Sequence, residues 1–144
     1  MVIDTAENPV NVVIDTNIII SGVGFGGKPR KILHLILEDK IKAVTSPILL
    51  AELEDVIVKK FPKLNNSFES IKKQIKSQFK IVKPRKSLFI VKDDDDNRVL
   101  EAANEGNCKY VITGDNDLLE LKSYKNIKIL TADEFLEDIK TDRR

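Results

Sequence analysis

Cysteine is almost missing from this sequence, and the one residue present, Cys108, leaves no partner for an intramolecular disulfide. Histidine is as scarce. The lone His34 falls inside a helical pattern, so nothing supports a Ser-His-Asp or Cys-His arrangement, and Cys108 reads as a small residue near a strand start. No apolar run approaches the roughly 20 residues that crossing a bilayer takes. The opening stretch MVIDTAENPV lacks the basic start and long apolar run of a signal peptide. An excess of one charge is missing too: 24 Lys and Arg face 23 Asp and Glu over 144 residues, a net charge of +1. Attraction to nucleic acid must then come from a local patch. These absences suggest a soluble cytoplasmic protein with no membrane association. The length fits a single domain, 1–144, with its core at about 11–139.

What is present alternates. Short β-branched runs at 11–14, 41–45, 88–91, 110–113 and 127–130 lie between longer helical patterns, the signature of βαβ units around a mostly parallel sheet. The expectation is an α/β fold, an α/β/α sandwich with a central five-stranded sheet. Pro29 can open the first helix. Ser46 followed by Pro47 is a strong start signal for the second. Phe68, Ile71, Ile75 and Phe79 mark an amphipathic third, and Gly106 can end a fourth by supplying a left-handed residue. Thr131 and Glu134 have capping-box spacing.

The acids follow the strands. In an open parallel sheet, ligands bind beyond the carboxyl ends of the strands. Asp15 directly follows VVI, the run Asp93 to Asp96 follows LFIV, and Asp115 and Asp117 follow YVITG. Glu52 sits in the second turn of the helix after the second strand; Glu54 borders the other flank of that helix, and the helical wheel does not choose between them. Each acid has a plainer reading as a turn or helix cap, and the helix dipole favours one or two acids at a first turn. It does not explain four in a row. A divalent cation does, because converging carboxylates repel one another until a hard cation takes their oxygens. Such a site activates water against a phosphodiester. Residues 70–92 supply a basic stretch with eight Lys or Arg and no acid: Lys72, Lys73, Lys76, Lys80, Lys83, Arg85, Lys86 and Lys92. It reads either as a solvated helix face or as a surface that tracks phosphates.

Other motifs fit less well. GVGFGG at 22–27 matches a dinucleotide-binding pattern, but Asp15 stands where the first glycine should, so a flexible loop beside the site is the better account. An EF-hand loop from Asp93 fails at Arg98 and Asn104. An aspartate-nucleophile phosphatase would need an acid at Asn17.

The stretches VVIDTNIIISG, SPILLAELEDVI, DDDDNRVLEAA and YVITGDNDLL, in this order and at these spacings, resemble the four acidic motifs of PIN-domain ribonucleases. The likeness runs over about residues 12–135 and is nearest the VapC-like toxin branch. It implies cleavage of RNA with Mg2+ or Mn2+, often a homodimer, and for the toxin branch a cognate antitoxin. Carried over, Asp15, Glu52, Asp96 and Asp115 become the catalytic and metal-ligating acids, with Asp117 in the outer shell and Asn17 and Thr113 as orienting groups. Counting back from Leu100 puts Asn97 where many relatives have the third acid, so Asp95, Asp96 or Asn97 fills that position. An impaired, RNA-binding or regulatory module is the alternative if none reaches a metal, and a phosphohydrolase of small substrates is a third.

Overall fold

The computed structural model describes residues 9–142. Its chain runs β1 (Val10–Ile14), α1 (Thr16–Gly24), α2 (Gly27–Leu37), β2 (Ile41–Thr45), α3 (Pro47–Lys60), α4 (Asn65–Gln78), β3 (Lys80–Ile81), α5 (Asp94–Glu105), β4 (Tyr110–Ile112), α6 (Asn116–Leu121), β5 (Ser123–Tyr124), β6 (Ile127–Leu130) and α7 (Ala132–Asp142), with one 3-10 turn at Pro62–Leu64. The strands form one six-stranded sheet in the order β3-β2-β1-β4-β6-β5. Among the described residues only β5 runs antiparallel to its neighbour.

Strand side chains alternate between two cores, as the period-2 pleat demands. Val12, Ile14, Ala43, Tyr110 and Ile112 pack with Ile20, Ile32, Phe68 and Phe135 on one face. Val13, Val44 and Val111 pack with Leu100, Ala103 and Leu118 on the other. This is the helix-sheet-helix layering expected from the alternation, with burial of each such large side chain worth about 1.5–3 kcal/mol. Among the described residues no helix is long and apolar enough to cross a membrane.

Helix ends follow their local chemistry. Ser46 Oγ accepts from the Leu49 N–H (3.3 Å), with Pro47 at the first helical position. At α7, Glu134 Oε1 accepts from the Thr131 N–H and Thr131 Oγ1 from the Glu134 N–H, a reciprocal capping box.

Four expectations change. The sheet has six strands, not five, because the two-residue strands β3 and β5 carry too few residues to show a period. Residues 88–91 are no strand: the N–H groups of Leu88, Ile90 and Val91 donate to the side chains of Glu101 and Asn97 instead of to a neighbouring strand. The glycine-rich stretch is not a flexible loop. Gly22 and Gly24 lie within α1, where a Cβ on Gly22 would come within 2.6 Å of Leu33 Cδ1 and 3.1 Å of the Pro29 backbone, so glycine there lets α1 and α2 cross closely. Gly106 is not left-handed (φ −85°); Asn107 takes that role at φ 51°. What requires glycine at 106 is space, since a Cβ would meet Val44 Cγ1 at 2.7 Å.

Candidate metal centre

The site is built where β1 and β4 end side by side. The Asp15 N–H donates to the Ile112 carbonyl (2.9 Å), tying the first residue beyond β1 to β4. Thr113, fully buried one residue past β4, then donates its hydroxyl to Asp15 Oδ2 (2.7 Å) and accepts from the Asp115 N–H (3.0 Å). One hydroxyl thus fixes acids that lie 100 positions apart in sequence. Asp115 caps α6: its Oδ1 accepts from the N–H groups of Asp117 (2.9 Å) and Leu118 (3.2 Å), leaving its second oxygen for other partners.

The aspartate run divides its labour. Asp93 is the N-cap of α5, accepting from the Asp95 N–H at 2.8 Å. Asp94 is exposed. Asp95 lies on the side of Glu52, whose charge it opposes. Asp96 turns inward, only 6% exposed, and its Oδ2 is buried with no hydrogen-bond partner. Ligand oxygens of Asp96, Asp115 and Asp117 lie within 4.8 Å of one another.

The electrostatics record the crowding. Burial, then the charges of Asp115 and Asp93, the close approach of the Asp115 carboxyl and the charge of Asp15, raise the pKa of Asp96. Asp15 is raised by burial above all, against the lowering effect of its bonds to Thr113 and the Thr16 backbone; the charges of Asp115 and Asp93 add to the rise. Burial followed by the charges of Asp95, Asp15 and Asp93 pushes Glu52 up to about 7. Asp96, Asp15 and Glu52 are each raised by at least two neighbouring acids, and no basic side chain is among the causes. A buried orphan oxygen and an all-carboxylate donor set fit a hard divalent cation, which takes several oxygen ligands and offsets their repulsion.

The structure separates what the helical wheel could not. Glu54 pairs with Lys72 of α4 (2.9 Å), whereas Glu52 faces the aspartates. Asn97 is buried and turned towards the preceding segment: Oδ1 accepts from the Ile90 and Val91 N–H groups, and Nδ2 donates to the Val91 carbonyl. Of the three residues considered for the third corner, Asp96 is the one within the carboxylate cluster. Asn17 is exposed on the first turn of α1. Asp93 was not singled out by its sequence position, although its charge acts on Asp15, Glu52 and Asp96; the only signal was its membership of the run.

The basic residues occupy three stretches: Lys72, Lys73 and Lys76 on α4, Lys80 on β3, and Lys83, Arg85 and Lys86 beyond it. Lys72 is committed to Glu54, and Arg85 to Glu105 (3.2 Å) at the far end of α5 from Asp96. His34 is exposed on α2. Cys108 is buried, which pushes its thiol up to about 12 and keeps it protonated at neutral pH.

Comparison with known proteins agrees with this arrangement. The PIN domain family matches residues 11–117. An uncharacterized protein of Methanocaldococcus jannaschii is 33% identical over 142 residues, covering 90% of this chain and 91% of the relative. Among solved structures, that of VapBC2 from Rickettsia felis bound to a DNA fragment from their promoter is similar with a TM-score of 0.59 and 18% identity, over 83% of this chain and 97% of that one. At that identity the likeness speaks for the fold.

Proposed function

The chain belongs to the PIN-domain family, and on that premise we propose that it is a metal-dependent endoribonuclease, the toxin of a toxin-antitoxin pair. The observation that carries the proposal is the buried, partnerless Oδ2 of Asp96 beside Asp115 and Asp117. Asp96, Asp115 and Asp15 would hold the ion, with Asp117 and Glu52 at its margin. Mg2+ or Mn2+ bound there would lower the pKa of a water, orient it for in-line attack and offset charge on the phosphate. Thr113 holds Asp15 by a bond to Oδ2 and so fixes where this carboxylate stands. Glu52, half-buried at the rim, would accept a proton from that water at its carboxylate.

The rival reading, a catalytically impaired RNA-binding or regulatory module, rested on Asn97 occupying an acidic position. It loses that support because Asn97 serves the neighbouring backbone and Asp96 stands in the cluster. The antitoxin partner follows from the family's toxin branch and from the VapBC2 likeness. A homodimer and contacts from Lys73, Lys76, Lys80, Lys83 and Lys86 to RNA belong to the same proposal.

The test is cleavage of RNA that needs Mg2+ or Mn2+, stops with EDTA and collapses in Asp15→Asn and Asp96→Asn. Full activity of either variant would remove that residue from the catalytic set. Hydrolysis of a chromogenic phosphate ester with RNA left intact would assign the site to small substrates. For the toxin role, an adjacent reading frame encoding a small protein with a DNA-binding N-terminus is the expected finding, and its co-expression should suppress the cleavage.

A further inference from the structure

The segment between β3 and α5 has neither strand nor helix geometry, yet buried side chains of α5 fix it. The Leu88 N–H donates to Glu101 Oε2 (2.8 Å), and Asn97 makes three bonds to Ile90 and Val91, of 2.9, 3.0 and 2.8 Å. Asn97 and Glu101 are themselves buried, so releasing the segment would leave polar atoms unpaired in the core. This braced backbone holds Phe89 out in water, 78% exposed, with Ile90 at 41% beside it. Exposure alone is ordinary for a single apolar side chain, but a ring held at a fixed place offers a flat apolar face that is stabilised when something covers it.

The surroundings say what. Exposed Lys83, Arg85 and Lys86 precede the ring and exposed Lys92 follows it, and no acid intervenes until Asp93. Asn97, which grips the backbone just after Phe89, is the residue next to Asp96. Along the chain, then, exposed cations, an exposed aromatic ring and the acids of the cation site follow one another within residues 83–96. A single-stranded polynucleotide matches that order along one chain: phosphates for the lysines, a base face for the ring, and a phosphodiester for the metal centre. A base-paired strand has its faces already stacked and does not match.

Resting on the ribonuclease reading above, the geometry points to Phe89 as a platform on which one base of single-stranded RNA stacks next to the cleaved phosphodiester, with Lys86 and Lys92 engaging flanking phosphates. Phe89 is a substrate-positioning residue and its selectivity is for unpaired RNA.

The chain contains no tryptophan, so Phe89→Trp installs a single reporter. In an Asp15→Asn background with Mn2+, where RNA is bound without turnover, an unstructured oligoribonucleotide should quench that tryptophan, and the same sequence in a duplex should not. In otherwise native protein, Phe89→Ala should raise KM for the single strand about tenfold, the scale of one lost base stack, with a much smaller effect on kcat. Phe89→Trp should keep KM within about twofold of the native value. Equal quenching by single strand and duplex, no quenching, or a native KM in Phe89→Ala would overturn the proposal. So would a native dimer that Phe89→Ala turns into a monomer with KM unchanged, since a second copy would then cover the ring. If the native protein cleaves no RNA, the ribonuclease reading fails, while the quenching measurement still reports on stacking. The side chain is mostly in solvent, so melting temperatures of the variants should stay near native.

Discussion

Burial of Asp96 costs the metal-free fold twice, once for an oxygen with no hydrogen-bond partner and once for the charges of Asp115, Asp93 and Asp15 around it. Asp96→Asn removes one charge at nearly constant volume. We expect the metal-free variant to melt a few degrees higher than native at pH 8, given about 2–4 °C per kcal/mol for a chain of this size. Metal-dependent cleavage should be lost in the same variant, a trade of function for stability. Calorimetry in EDTA and an RNA cleavage assay check the two halves. Thr113 acts through others: its hydroxyl bonds Asp15 and Asp115 and has no further role to play at the site. Thr113→Val keeps the buried shape and removes both bonds, so Mn2+ affinity, read by calorimetric titration, should fall about 10- to 100-fold.

At the scale of elements, α5 does two jobs from adjacent residues. Asp93 caps it and so sets its rotation; successive side chains then turn by about 100°, which points Asp96 at the site and Asn97 at the segment before it. Asn97→Ala removes the partner of the Ile90 and Val91 N–H groups and of the Val91 carbonyl, a loss of about 1–3 kcal/mol that urea denaturation should read as a lower midpoint. Asn97→Asp separates two ideas about this position. It keeps the acceptor, loses the donor to the Val91 carbonyl and adds a charge beside the acids, so it should be less stable at pH 8 with no gain in Mn2+ affinity. Tighter Mn2+ binding would instead put residue 97 in the metal's coordination shell. The same helix explains why residues 88–91 mislead a reader of the sequence. LFIV has strand composition, but its N–H groups find Asn97 and Glu101 before any strand, and a composition-based reading has no view of those partners.

For the whole molecule, the raised acids make stability depend on pH in a stated direction. Glu52 moves from 4.5 to about 7 on folding, so below about pH 4.5 its proton is on in both states and it contributes no slope. Between those values the unfolded chain loses the proton first, and stability falls as pH rises; above about 7 the full cost is present. Asp96 and Asp15, also raised, act in the same sense from their lower starting point. The melting temperature of protein in EDTA should therefore decline between pH 5 and pH 8 through this site. Mn2+ should flatten the decline, stabilising by about 2.7 kcal/mol at pH 8 at a hundredfold excess over its Kd there, and by less at pH 5.5 for the same concentration. Its binding should release protons, seen as a buffer-dependent heat. A slope that is the same with and without the ion would count against these carboxylates as its ligands.

Alternation of β-branched runs with amphipathic helices determined the layered α/β fold, and the placing of acids just after those runs determined which edge of the sheet is charged. Both are written in local chemistry: side-chain period, strand ends and caps such as Ser46 and Thr131. What only the tertiary structure decided is how the acids meet. The order β2-β1-β4 sets Asp15 beside Thr113 across 98 positions of chain, Glu52 is distinguished from Glu54 by the partner each side chain finds, and Asp96 from its neighbours by the rotation of α5. Those choices rest on long-range pairing and on the phase of a helix packed against a sheet, and neither is a property of any short stretch of residues.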